Sequence, residues 1–371
     1  MATTNFGLLT NEQKTIWSTD MWSQARNLSF INKFLGKDEN SVIQHVTDLT
    51  KTQRGARAVI TLVNDLEGDG VVGDRTLKGN EEAMRSSDIV IQIDQLRHGN
   101  ANEGRMAEQK SIVRFREQSK NKLAYWYSDR IDQLAFLSLS GVPYTMKCSG
   151  GLRNSREFGY LEFAPTPQDA PTAKRFARWN GTSKQIEVGV GNGSITAADL
   201  PMWEMFVQMK AYAKENYIRG IREKGGEESF HVFLSPTAMA KLKLDPTYMQ
   251  NLRHARERDK DNPMFSGSVV KIDGLYLHEF RHVINTRTAA PGSKWGAGGN
   301  VDGCQVLFCG AQSLGMADLG APEWDEEYDD YKNRHGIAIA KMLGFKKPKF
   351  YTQYSGGTVE DFGVISLYTA Q

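Results

Sequence analysis

Cysteine is scarce: Cys148, Cys304 and Cys309 are the three in 371 residues. An odd number without a C-x-x-C pair excludes a disulfide framework and leaves each thiol reading as a small buried hydrophobe. A surplus of charge is lacking too. Lys+Arg number 46 and Asp+Glu 44, a formal +2, far from the basic balance of a dedicated nucleic-acid binder. No run of ~18 apolar residues is present to cross a membrane. The opening MATTNFGLLTNEQ lacks the basic-then-apolar order of a signal peptide, so the chain is expected to stay in the cytoplasm where it is made. There is no G-K-[ST] phosphate loop, no G-x-S-x-G elbow and no internal repeat.

What is present is enough apolar content, 40%, for a substantial core in two or three compact units. Thr10 and Gln13 form a capping box, and Trp17, Met21, Ala25 and Leu28 follow at helical spacing. Phe30, Ile31, Phe34 and Leu35 come next, stopped by Gly36. This N-terminal segment must lay its apolar side on its own core or on a neighbouring chain, and the pattern leaves both open.

RAVITLV (57–63) and DIVIQIDQL (88–96) read as paired strands. The polar, four-glycine stretch between them far exceeds the roughly 2–5 residues of a hairpin loop. A two-stranded ribbon is marginal in water and needs a surface to rest on, which another chain could supply. From Glu103 to Ser140 the spacing of Leu123, Tyr127, Ile131 and Leu134 predicts one long helix, on the order of 50 Å at ~1.5 Å per residue. Its first half is basic: Arg105, Lys110, Arg114, Arg116, Lys120 and Lys122 against Glu108 and Glu117. That charge reads as a solvated face, or as a contact for DNA phosphates or an acidic neighbour.

Residues 141–198 read as loops with short strands, and Asp199 as the cap of a helix running from Pro201 to Gly225. FHVFLS predicts a buried strand, with short helices after Pro236 and Pro246. SVVKIDGLYLHEF, CQVLFCG, HGIAIAKMLG and FGVISLY predict further strands. Helices and strands without a βαβ repeat give an α+β class.

His278-Glu279-Phe280-Arg281-His282 spells H-E-x-x-H, which on a helix puts two histidines on one zinc ion. Here Leu275, Leu277, Val283 and Ile284 favour a strand, where the histidines would stand roughly 13 Å apart, and Asn285 and Thr288 occupy the places of the extended motif's glycine and histidine. A zinc-dependent hydrolase is therefore the runner-up, and no catalytic residue, metal or cofactor is expected. Asp65 to Gly70 begins like a calcium loop but ends on Thr76 where a glutamate is needed. GVGNGS reads as turn glycines. The acidic run Glu323, Asp325, Glu326, Glu327, Asp329, Asp330, interleaved with Trp324, Tyr328 and Tyr331, reads as a solvated face or a partner for basic residues across an interface.

FHVFLSPTAMAKLK, NPMFSGSVVKIDGLYLHEFRHV, CQVLFCGAQSLGMA, EEYDDYKNRHGIAIAKMLGFKKPKF and FGVIS, in this order, resemble the major capsid proteins of tailed phages, in particular a podophage-like group. The similarity is densest from Phe230 onward; the front half resembles the family by layout. The resemblance implies the tailed-phage and herpesvirus (HK-ninety-seven-like) capsid fold: an N-terminal arm (1–53), an extended hairpin loop (54–97), and a peripheral domain with its spine helix (98–149). An axial domain (150–320), return strands of the peripheral domain (321–352) and a C-terminal strand (353–371) follow.

It also implies a structural protein of the virion, assembled in the host cytoplasm from copies of itself in hexamers and pentamers around double-stranded DNA that is held without sequence specificity. A portal and a separate scaffolding protein are further partners, the latter because no long charged prodomain is evident; a decoration protein is left open. On that reading Trp17, Met21, Trp22, Phe34, Asp69, Arg75 and Lys78 are candidate contacts between subunits. Arg105, Lys110, Arg114 and Lys120 are candidate DNA-facing or interface cations. Some relatives weld neighbours through a lysine–asparagine isopeptide bond, for which Lys78 and Asn333 would be this chain's candidates.

Overall fold

The computed structural model describes residues 11–46, 57–63, 66, 68–84, 86–111, 114–153, 168–223, 226–255, 270–352 and 357–371. The Thr10 cap and the NPMFSG segment lie outside them.

Helix α1 (Asn11–Leu28) leads through one 3-10 turn (Ile31–Phe34) into strands β1 (Leu35–Gly36) and β2 (Ile43–Val46). The hairpin follows as β3 (Arg57–Val63) and β4 (Ser86–Gln92), and β5 (Asp94–Ala101) continues its second strand. Next come α2 (Arg105–Lys110), α3 (Phe115–Ser140), β6 (Phe176–Asn180), β7 (Gln185–Val188), α4 (Trp203–Glu215), β8 (Ile221–Arg222) and β9 (Glu228–Leu234). Helices α5 (Pro236–Lys243) and α6 (Pro246–Ala255) precede β10 (Val270–Ile272), β11 (Leu275–Glu279), β12 (Gly303–Cys309) and β13 (Leu314–Asp318). The chain finishes with β14 (Glu323–Asp329), β15 (Arg334–Lys346), β16 (Lys349–Thr352), β17 (Thr358–Asp361) and β18 (Val364–Ala370).

Two sheets organise these elements. The first is six-stranded, ordered β1-β2-β13-β15-β14, with β5 also on β15. The second is eight-stranded, ordered β10-β11-β9-β12-β18-β6-β7, with β8 on β9. The chain crosses from the second sheet to the first between Cys309 and Leu314, then returns through β18, which sits between β12 and β6. Burial explains the strand patterns: β12 is buried along its whole length, whereas β14 alternates exposed carboxylates with buried Trp324 and Glu326.

Helix α3 spans about 39 Å at ~1.5 Å per residue, less than the sequence predicts, because the segment from Glu103 is two helices. Ser111 and Arg114, between α2 and α3, are extended (ψ 136° and 107°), which breaks the hydrogen-bond ladder. The expected stripe holds: Leu123, Tyr127, Ile131 and Leu134 are all buried, and the Tyr127 hydroxyl donates to the Leu96 carbonyl at 2.6 Å. Gly141 ends the helix at φ 70°, where any Cβ would also strike the Asp169 carbonyl.

Asp199 is not a helix cap. It is fully buried, and its carboxylate accepts from Arg178 (2.9 Å), the Thr196 amide (2.8 Å) and the Gly181 amide (2.9 Å). Helix α4 takes its cap from Asp245, which accepts from the Trp203 amide at 3.0 Å. It stops at Glu215 because Tyr217 turns left-handed, φ 56°. After Pro236 the expectation holds: Ser235 Oγ accepts from the Ala238 amide at 3.2 Å, with proline in the first turn.

Candidate assembly surfaces

The hairpin is held in register from Arg57 opposite Gln92 to Val63 opposite Ser86. Alternation sends Ala58, Ile60, Ile89 and Ile91 to one face, where they pack with Val46 and Ala317 of the chain's own six-stranded sheet. The root of the ribbon therefore rests on its own subunit. Its tip does not. Leu66, Val72, Leu77 and Met84 are 61%, 78%, 60% and 74% exposed, and Asp69, Arg75 and Lys78 stand in solvent among them. Within the described part of this stretch, Glu82 accepts from the Gly68 amide at 2.7 Å, Glu81 accepts from the Gly79 amide at 2.6 Å, and Asn80 donates to the Thr76 carbonyl at 2.9 Å. An exposed apolar set on a long projection is what a neighbouring surface would cover.

The N-terminal candidates divide. Met21 is fully buried and Trp22 nearly so, with the Lys341 ammonium 3.6 Å from the Trp22 ring centre, so their apolar surface is already spent inside the subunit. Lys341 is itself buried against Asp318 at 2.6 Å. Trp17 is half-buried, 5.9 Å from the Trp324 ring and beneath the Lys120 ammonium at 5.1 Å. Phe34 meets Phe233 edge-on at 5.1 Å and His278 at 4.9 Å, seating the 3-10 turn on the second sheet. Asp132 of α3 clasps the same turn, accepting from Ser29 Oγ (2.7 Å) and the Phe30 and Ile31 amides (3.0 and 3.2 Å). Sequence reasoning missed Asp132; a lone acid on the apolar stripe of a helix was the available signal.

Of the basic candidates, Arg105 and Lys110 stand exposed on α2. Arg114 faces Glu117 at 3.9 Å, and Lys120 turns back to Asp20 at 3.8 Å. Arg116, from the same basic stretch, pairs inside the subunit with buried Glu326 at 2.8 Å, so one carboxylate of the acidic run is structural. Asn333 lies in the β14–β15 turn, its Oδ1 accepting from the Arg105 amide at 3.3 Å.

The H-E-x-x-H string is split between two neighbourhoods. His278 lies in β11, its Nε2 2.8 Å from Nδ1 of His231 in β9. His282 lies in the following turn with Nε2 2.7 Å from Asp129 Oδ1, which also accepts from Arg281 at 2.6 Å. Among the described residues no three His, Cys, Asp or Glu side chains gather to hold a metal, and no helix is long and apolar enough to cross a membrane. The three thiols are buried, which pushes Cys148 and Cys309 up to about 12 and Cys304 to about 11 and leaves them un-ionised. Purified protein is expected to hold far less than one equivalent of zinc by elemental analysis, and a stoichiometric ion would contradict this account.

The His231–His278 bond needs at least one neutral ring nitrogen to accept. Burial pulls His231 down to about 4; burial, with the His231 and Lys33 charges adding to it, pulls His278 to about 3. The charge that opposes this at His231 is Glu223, held by Tyr276 and Lys271. Unfolded histidine takes its proton near pH 6.5, so between there and pH 4 the unfolded state binds more protons. The pair's contribution is therefore complete above about pH 6.5 and falls as pH drops, by on the order of 5 kcal/mol at pH 4.5. Urea melts at pH 7 and 4.5 should show that loss, and a His278→Phe variant should keep about half of it, the share of His231.

The described residues thus show a hairpin seated at its root, exposed and apolar at its tip, and a core spread over two sheets. Comparison with known proteins gives the class. Residues 5–371 match the family model described as phage capsid protein. The major capsid protein of Pseudomonas phage KPP25 is 58% identical over 369 residues, covering 99% of this chain and 97% of that one. The capsid of Ralstonia phage GP4 superposes with a TM-score of 0.74 at 24% identity, over 92% and 91% of the two chains. The Cyanophage Pam1 capsid asymmetric unit does so with 0.71 at 19%, over 99% of each. The chain belongs to the phage capsid protein family. It has the tailed-phage capsid fold and is a structural component of a phage virion, not a hydrolase.

Proposed function

We propose that this chain is the major capsid subunit whose copies form the hexamers and pentamers of an icosahedral head around double-stranded DNA. The ribbon of residues 54–97 is the arm that reaches a neighbouring copy, α3 is the spine of the peripheral domain, and the eight-stranded sheet is the body of the axial domain. One observation carries this reading: the hairpin is anchored at its root and left uncovered at an apolar tip. Interfaces in such shells exceed the ~1,600 Å² of a standard complex and need shape and apolar area rather than a reacting side chain. Arg105 and Lys110, exposed on one short helix, suit loose phosphate contact inside the shell. The near-neutral total charge suits contact without sequence readout. A scaffolding protein and a portal are the further partners.

Expression with its scaffolding partner, followed by electron microscopy, is expected to give closed icosahedral particles; a protein that stays monomeric under all such conditions would overturn the reading. Particles boiled in SDS are expected to run as the monomer band, since the Asn333 side chain is already engaged at the turn.

A further inference from the structure

Two strand glycines lie under the hairpin root. Gly315 in β13 and Gly344 in β15 are absent from the positive-φ positions of the chain, so they supply space rather than conformational freedom. A Cβ on Gly315 would stand 2.5 Å from Ile60 Cδ1 and 2.9 Å from Ile91 Cδ1. A Cβ on Gly344 would overlap the Gln92 carbonyl oxygen and lie 3.1 Å from Ile91 Cγ2. Gly344 is registered opposite Ala317, which is buried in the same cluster as Ala58, Ile60, Ile89 and Ile91. The ribbon thus sits on nearly bare backbone of the six-stranded sheet, in contact over its first residues and uncovered beyond them.

Such a seat fixes direction. The paired strands run about 10 Å past the seat, three residues from Ile60 to Val63 at ~3.3 Å each, before the tip begins, so a small tilt at the root is multiplied at the tip. We propose that Gly315 and Gly344 form a saddle that sets the angle at which the hairpin leaves the subunit and so positions its tip for the neighbouring copy. This rests on the hairpin being the arm between subunits. The two glycines are positioning residues, and they differ in a testable way. The obstacle to a Cβ at 315 is two side-chain methyls; the obstacle at 344 is backbone.

The experiment compares Gly315→Ala and Gly344→Ala, each alone and combined with Ile60→Val and Ile91→Val, which delete both Cδ1 methyls. Yield and diameter of closed shells are read by electron microscopy beside thermal melts of the unassembled subunit. Both glycine variants are expected to lower the yield of regular shells by on the order of tenfold while the subunit still unfolds cooperatively. The valine pair is expected to restore Gly315→Ala and to leave Gly344→Ala defective. Regular shells at full yield from both alanine variants would overturn the proposal. So would a lowered melting temperature without any change in shells, which is the outcome of plain packing. If Gly344→Ala does not fold, Gly315→Ala and its rescue decide. A subunit without the hairpin tip serves as reference: if it still builds normal shells, the arm reading itself fails; if it cannot, and the alanine variants can, only the saddle fails.

Discussion

Replacing residues 64–85 with Asn-Gly, which closes β3 and β4 through a two-residue turn, is expected to abolish closed particles and leave the subunit folded. The described tip residues contribute nothing to the three buried clusters, so no core contact is lost. What is lost is contact with a neighbour. Leu66, Val72, Leu77 and Met84 are each more than half exposed, and covering such side chains is worth about 1.5 kcal/mol apiece at the low end. Four of them amount to about 6 kcal/mol per contact, a factor on the order of 10⁴ in association, repeated at every copy in a shell. Sedimentation and electron microscopy read the result: soluble, cooperatively melting subunits without shells. Normal shells from the shortened chain would show that the tip is ornamental.

Asp132→Ala carries the second large effect, on the subunit itself. The substitution strips the acceptor from Ser29 Oγ and the Phe30 and Ile31 amides, two of the three partner residues being buried. Each buried donor left without a partner costs about 1–3 kcal/mol, so a loss of about 3 kcal/mol or more is expected. The 3-10 turn carrying Phe34 should then lift from the second sheet, and α1 should be cut by protease near Ser29 well before the rest of the chain. Asp132→Asn keeps one acceptor oxygen and should fall between. An alanine variant as stable and protease-resistant as the parent would remove Asp132 from the account.

Much of this was legible in the residues because local pattern and burial agree. The alternation in RAVITLV and DIVIQI fixed the ribbon and its inward row, and Leu123, Tyr127, Ile131 and Leu134 fixed the buried face of α3. H-E-x-x-H is indeed not helical, but the strand expected through Ile284 stops at Glu279; His282 lies in a turn, and the two histidines sit in separate hydrogen-bonded pairs. What escaped was set by distant partners. Asp199 looks like a cap until Arg178 is known to claim its carboxylate. Met21 and Trp22 read as loose apolar anchors because nothing local reveals that Lys341 and the six-stranded sheet cover them. The break before α3 lies in a stretch free of proline and interior glycine, so propensity alone carried the helix through it. Gly315 and Gly344 did leave a trace, since a glycine inside an apolar strand marks a close approach of other backbone, but only the fold says whose.

A high-resolution reconstruction of assembled particles tests the central claim most directly. The account expects residues 66–84 of each copy to lie against an adjacent copy, with Leu66, Val72, Leu77 and Met84 covered there and the root still seated on Gly315 and Gly344. A shell in which those residues fold back on their own subunit or stand free in solvent, with neighbours joined elsewhere, would contradict it.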